Sequence, residues 1–168
     1  MRPAFSVLAG VLGQVADVIR ALSDDAFTAP GPRGVSGSVG AHVRHCLDHV
    51  LALEHALMTR DLDYDSRQRG GLIETDRRAA LDAVEAARAR VAALDDRWLP
   101  QLVHLRTQIA PDGRFILTRS TIGRELAFVI SHTIHHNATI NMLLHQQAAL
   151  DTPIGFGYAP STPCALSA

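Results

Sequence analysis

Residues 131–137 read Ser-His-Thr-Ile-His-His-Asn, inside a largely apolar run at 122–147. His132 and His136 are four residues apart. On an α-helix this spacing puts two side chains on one face, one turn apart, where both imidazoles can bind one metal ion. A second histidine-rich segment, residues 41–49, reads Ala-His-Val-Arg-His-Cys-Leu-Asp-His. We expect the fold to bring the two segments together around a metal ion.

The composition favours helices packed on helices. The chain has 168 residues, of which only 5% are aromatic, and alanine and leucine are abundant. This length suits one domain over 1–168 with a substantial core. The formal net charge is -1, and no basic patch with interleaved aromatics is present, so nothing indicates a nucleic-acid partner. All 16 basic residues are arginine, which excludes Schiff-base chemistry on a lysine.

Cysteine content and hydropathy indicate the compartment. Cys46 and Cys164 do not make a disulfide framework, so we expect a reducing cytoplasm. Gln14, Asp17 and Arg20 interrupt the apolar N-terminus at helical spacing, which predicts an amphipathic helix and not a signal peptide. No apolar run reaches the roughly 20 residues that span a membrane.

A homodimer is expected only because dimers are common.

Apolar periodicity predicts four helices. They cover residues 3–22, 36–60, 75–94 and 121–147. The stripe of the first helix consists of Val7, Val11, Val15, Val18 and Leu22. The stripe of the second consists of Val39, Val43, Cys46, Leu47, Val50 and Leu57. Ser36 or Ser38 suits the cap of the second helix, and Ser120 or Thr121 that of the fourth.

The segments between and after these helices differ in character. Two β-prone runs, 102–109 and 114–118, flank Ala-Pro-Asp-Gly at 110–113, which predicts a β-hairpin lying against the helices. The connector 61–72 is rich in charge and glycine. It is either a solvated loop or an active-site wall that includes Tyr64, Asp65 and Arg67. The tail 151–168 is predicted to be non-helical, with Phe156 and Tyr158 anchoring it on the bundle.

Eight of the nine histidines lie in the second and fourth helices. His42, His45 and His49 fall within an arc of about 60° beside the apolar stripe, whereas His135 lies about 100° from His136. Three imidazoles from two facing helices would leave an open position on a zinc-like ion, which is typical of a catalytic site. Water bound there becomes a nucleophile or base at neutral pH. The alternative is that these are merely polar helix residues.

Four acidic or thiol side chains are given other roles. Glu54 falls among apolar positions and needs an arginine or histidine partner. Glu125 is about 10 Å from His132 along the helix, so it is expected to cap the helix or pair with an arginine. Neither Cys46, on an apolar stripe, nor Cys164, near the terminus, is placed as a nucleophile. A di-iron carboxylate bundle fits poorly, because that design needs inward glutamates on several helices.

The segments Ser-Val-Gly-Ala-His-Val-Arg-His at 38–45 and His-Thr-Ile-His-His at 132–136 resemble the DinB/YfiT-like superfamily of metalloenzymes. The resemblance implies an all-α four-helix bundle, here with a small β-hairpin between the third and fourth helices. It implies metal ligation by His45, which follows the Ser-Val-Gly start at the family spacing, and by His132 and His136. Many members continue with Arg-Gly-Gln after the last ligand, whereas this chain has Asn-Ala-Thr at 137–139.

The resemblance implies two classes of function. One is a metal-dependent enzyme, a hydrolase or a transferase acting with a low-molecular-weight thiol on a small-molecule substrate. The other is a non-catalytic, stress-related metal-binding bundle. Zinc or nickel is the expected divalent ion, with iron or manganese as alternatives. His49, one turn beyond His45, is expected to be a fourth ligand or a catalytic proton shuttle, or else a core histidine bonded to Glu54 or the backbone. His42 is expected to be peripheral.

Overall fold

A computed structural model of the protein describes residues 3–31, 36–66, 70–147 and 151–162. Arg67 and Cys164 lie outside these residues. The four long helices are α1 Phe5–Ala21, α3 Val39–Thr59, α5 Arg77–Ala92 and α6 Ile122–Gln146. Two short helices are α2 Asp24–Thr28 and α4 Leu72–Thr75, and the strands are β1 Asp61–Asp63, β2 Leu102–Gln108 and β3 Phe115–Thr121. The prediction of a mainly helical chain is confirmed.

Hydroxyl caps fix the starts of the two histidine-bearing helices. Ser38 accepts a hydrogen bond from the Ala41 amide at 3.1 Å at the start of α3. Thr121 accepts one from the Arg124 amide at 3.2 Å at the start of α6. Each cap satisfies a backbone N–H that the helix itself leaves unpaired. The registers of the two helices at the histidines are therefore set by their own sequences.

The long helices enclose one apolar core. Both α1 and α3 pack against α5 and α6. The predicted stripe of α3 is buried throughout, whereas Val7 of α1 is 49% exposed and Phe5 and Leu8 bury the first turn instead. None of the described helices combines the length and hydropathy that a bilayer crossing requires.

A small sheet lies beside the helices. As the Pro-Asp-Gly turn predicts, β2 and β3 are antiparallel, and Gly113 has a φ of 87° there. The strand β1, which the sequence did not predict, pairs in parallel with β2. A three-residue strand is too short to show a periodic pattern. The all-α class is thus corrected to a helical protein with a three-stranded sheet.

The C-terminal segment buries one aromatic side chain in the core. Phe156 is only 1% exposed, whereas Tyr158 is 50% exposed and does not act as the predicted second anchor. Gly157 crosses α6 so closely that a Cβ there would lie 2.5 Å from the Cα of Ala138. Its φ of 80° also favours glycine. The tail therefore passes over α6 within two residues of His136, the last predicted ligand.

Candidate metal centre

The packing of α3 against α6 brings three partly buried histidines together. One ring nitrogen from each of His45, His132 and His136 lies within 4.8 Å of the other two. The Nε2 atoms of His45 and His132 are 3.0 Å apart. Zinc–nitrogen bonds of 2.0–2.1 Å require ligand nitrogens about 3.3 Å apart in a tetrahedral site. The cluster can therefore hold an ion with only small side-chain movements.

The electrostatics of the cluster keep an imidazole in its ligating form. Burial, and after it the neighbouring imidazoles of His132, His42, His135 and His49, together lower the pKa of His136 to about 3. A metal ligand must be the neutral ring, which carries a lone pair. His136 is thus neutral at physiological pH, and its donor chemistry fits a divalent transition metal.

His49 lies directly behind the ligand cluster. It is 4% exposed, and its ring stacks on that of His132 with centroids 4.0 Å apart. Its Nδ1 is 3.0 Å from the backbone carbonyl of His45. Because a carbonyl only accepts, Nδ1 donates, and a neutral His49 then carries its lone pair on Nε2. Its nitrogens are not among the three atoms that converge in the described structure.

His42 is not peripheral, which corrects the expectation from the sequence. Its Nδ1 lies 2.9 Å from Nδ1 of His136, because α6 crosses α3 one turn before His45. Burial lowers the pKa of His42; the Ser36 backbone opposes this, and His135 adds a smaller lowering. Nε2 of His42 is buried, and no described atom meets it with hydrogen-bond geometry. His135 is exposed, in line with its predicted position around the helix.

Two aromatic side chains line the histidines. Tyr64 stacks on His49 with centroids 4.9 Å apart and planes 14° apart. Phe128 stacks on His132 at 5.6 Å. Sequence reasoning missed Phe128, although its position four residues before His132 places it on the same helix face. The other connector residue considered, Asp65, is exposed and accepts a hydrogen bond from the Gln108 amide.

A buried carboxylate holds Tyr64 in place. Glu125 is 0% exposed and accepts hydrogen bonds from Tyr64 at 3.0 Å, from Arg124 at 2.9 Å and from the Ser120 hydroxyl. Burial, followed by the charge and hydrogen bond of Glu125, raises the pKa of Tyr64 well above its usual range. Tyr64 therefore stays protonated and donates to Glu125.

The remaining predicted side chains have structural contacts. Glu54 pairs with Arg90 of α5 at 3.0 Å, so it is not a partner of His49. Cys46 is buried, and burial raises the pKa of its thiol to about 12, which excludes a thiolate nucleophile at neutral pH. A cavity of about 650 Å³ lies between α3 and the sheet, beside Asp48, His55 and Arg106. Its described lining includes none of the three clustered histidines.

Known proteins share this fold. A DinB-like protein of Bacillus subtilis, YjoA, superposes with a TM-score of 0.65 at 16% identity, covering 89% of this chain and 95% of that one. YfiT of Bacillus subtilis, described as a probable metal-dependent hydrolase with an unusual four-helix bundle topology, superposes with a TM-score of 0.60 at 18% identity, covering 88% and 87%. At these identities the likeness concerns the fold.

Sequence comparison adds one distant relative and the family. FK506-binding protein 5 of Rhizopus delemar is 33% identical over 102 residues, which are 60% of this chain and 26% of that protein. The chain thus spans about a quarter of the length of this curated relative. The model of the DinB family matches residues 4–156. The match extends over most of the 168 residues, and the chain therefore belongs to the DinB family.

Proposed function

We propose that the protein is a metal-dependent enzyme that holds one divalent transition-metal ion through His45, His132 and His136. The convergence of their ring nitrogens within 4.8 Å, from two separate helices, carries this proposal. Zinc or nickel suits three imidazoles best, and iron or manganese would also be accepted. The fold shared with YfiT, itself described as a probable metal-dependent hydrolase, supports the same class.

Three protein ligands leave a coordination position for a small-molecule substrate. A divalent ion held by these histidines would supply Lewis-acid chemistry there, which would polarise the substrate and lower the pKa of a water or a low-molecular-weight thiol. His49 accepts a proton at Nε2, since its Nδ1 is committed to the His45 carbonyl. Tyr64 and Phe128 stack on His49 and His132 and would shield this side of the site from water. The reaction classes that we propose are hydrolysis and the transfer of a low-molecular-weight thiol.

A non-catalytic metal-binding protein is the second candidate. The stacking of His49 on His132, with centroids 4.0 Å apart, places it close enough to become a fourth ligand after a change of side-chain rotamer. Four protein ligands make a closed, structural site. The two functions therefore differ in whether the ion retains an exchangeable ligand.

Metal content tests the proposed site. Protein purified without a metal-affinity tag should contain about one equivalent of a transition metal by elemental analysis, and the double variant His45→Ala/His132→Ala should contain none. His55→Ala/His145→Ala, which removes two exposed histidines from the same two helices, is the matched control and should keep its metal. No metal in the wild type, even after equilibration with zinc and nickel, would refute the proposal.

Ligand exchange on a cobalt-substituted sample separates the enzyme from the binding protein. In an open site, added azide or a small thiol should shift the visible absorption bands of cobalt, because it replaces an exchangeable ligand. Unchanged bands in the wild type that become responsive in His49→Ala would instead identify a site closed by His49. His49→Ala should also lower turnover if His49 shuttles protons.

The other expectations accompany this proposed function. They are one domain over 1–168 built as a four-helix bundle, a cytoplasmic location and a homodimer. They stay predictions, as does the involvement of a thiol.

A further inference from the structure

If His136 binds a metal ion, the donor and the acceptor of its hydrogen bond with His42 can be assigned. Their Nδ1 atoms are 2.9 Å apart, so one nitrogen donates and the other accepts. A neutral imidazole carries one N–H and one lone pair. If His136 binds an ion through Nε2, its proton is on Nδ1, and His136 is the donor. Nδ1 of His42 must then be the acceptor.

The surroundings of His42 agree with this direction. An accepting Nδ1 leaves the proton of His42 on Nε2, the nitrogen that faces the backbone before α3. A Cβ on Gly37 would lie 3.8 Å from this Nε2. Nε2 of His42 is buried on this side of the ring. The ring is thus presented with its acceptor towards His136 and its N–H towards the chain entering α3.

His42 is also distinct from the ligands themselves. The three converging nitrogens belong to His45, His132 and His136, and His42 is outside this group in the described structure. Histidines that bind metals usually donate their second ring N–H to an outer partner, which orients the ring and raises its basicity. The partner is most often a carboxylate, a carbonyl or water. Here the nitrogen that faces His136 is an imidazole nitrogen.

We propose that His42 is a positioning residue of the metal site, which accepts the Nδ1–H of His136 and thereby leaves Nε2 of His136 as the ligand atom. This inference rests on the proposed metal site and assigns an outer partner to one of its ligands. Loss of such a partner typically lowers metal affinity about 10- to 100-fold without removing the site.

Affinity measurements on three variants test the role. His42→Leu removes the acceptor at similar bulk, whereas His42→Asn retains an oxygen near the position of Nδ1. His135→Leu is the matched control, because His135 also contacts His136, with centroids 5.3 Å apart, but is exposed. Zinc dissociation constants are measured by competition with a chromophoric chelator. We expect a 10- to 100-fold weakening in His42→Leu, a smaller one in His42→Asn and less than twofold in His135→Leu.

Nitrogen-15 NMR of histidine-labelled protein loaded with zinc reports the ring protons directly. The expected spectrum has a proton on Nδ1 of His136, a metal-shifted Nε2 of His136 and a proton on Nε2 of His42. Circular dichroism and thermal unfolding of each variant show whether an affinity change reflects misfolding. If His42→Leu misfolds, the zinc affinity of His42→Asn and the wild-type NMR spectrum still test the positioning role of His42.

The outcomes distinguish a failure of this inference from a failure of the proposed metal site on which it rests. A wild type that binds no zinc refutes the proposed metal site and this inference with it. A wild type that binds zinc, with His42→Leu within twofold of it, refutes only the positioning role. A metal-shifted nitrogen on His42, or complete loss of binding in His42→Leu comparable to His132→Ala, would show that His42 is a ligand.

Discussion

At the scale of single residues, the buried carboxylate of Glu125 links the connector to α6. Tyr64 is one of three donors to Glu125 and stacks on His49 through its ring. Tyr64→Phe keeps the ring and removes the hydroxyl, so the charged acceptor loses one partner. We expect a loss of about 2 kcal/mol in the free energy of unfolding, measured by urea denaturation.

Tyr158 provides the control for this substitution. It is 50% exposed, and Tyr158→Phe should change stability by less than about 0.5 kcal/mol. Equal effects of the two substitutions would show that the hydroxyl of Tyr64 contributes nothing specific through Glu125.

At the scale of elements, the missing side chain of Gly40 lets α3 approach its neighbours closely. A Cβ on Gly40 would lie 2.2 Å from the Glu74 carbonyl oxygen and 2.7 Å from Cε1 of Phe27. Gly40→Ala must therefore displace α4 or α2, and we expect a loss of about 2–3 kcal/mol, as for other overpacked sites. Thermal and urea unfolding measure the loss, and zinc affinity shows whether the start of α3 also positions the histidines.

Gly10 in α1 is the matched helical position. Nothing lies within 4 Å of a Cβ placed there. Gly10→Ala should raise stability by about 0.5–1 kcal/mol through helix propensity alone. If Gly40→Ala were equally stabilising, the close approach between α3 and α4 would not exist in solution.

At the scale of the whole molecule, the buried imidazoles make stability depend on pH. Burial lowers the pKa of both His42 and His136 in the folded protein. In the unfolded chain these two histidines bind protons below about pH 6.5, whereas in the folded protein they bind protons only at lower pH. The free energy of unfolding of metal-free protein should thus be highest above pH 6.5 and decrease as the pH falls towards 5.

Solvent screening of these half-buried rings limits the slope to about 1 kcal/mol per pH unit. Urea titrations in the presence of a chelator at pH 7.5, 6.5 and 5.5 measure it. His136→Asn should flatten the dependence, and stability that rose on acidification would contradict the assigned shifts.

The sequence by itself determined the four long helices and one hairpin, but not the short helices α2 and α4. Apolar stripes such as that of α3, the hydroxyls Ser38 and Thr121, and the Pro-Asp-Gly turn each act within a few residues, so their effects are visible in the linear sequence. The i, i+4 spacing of His132 and His136 likewise follows from helix geometry alone.

Only the tertiary structure decided which of the histidines on α3 face α6 and what surrounds them. The place of His42 against His136 depends on how two helices cross, and that crossing depends on packing against α5 and α1. The strand β1 and the contact of Tyr64 with Glu125 likewise join residues that are far apart in sequence. Local patterns fix the long helices and the hairpin because they involve neighbours along the chain, whereas the site is formed by contacts between elements that no local pattern records.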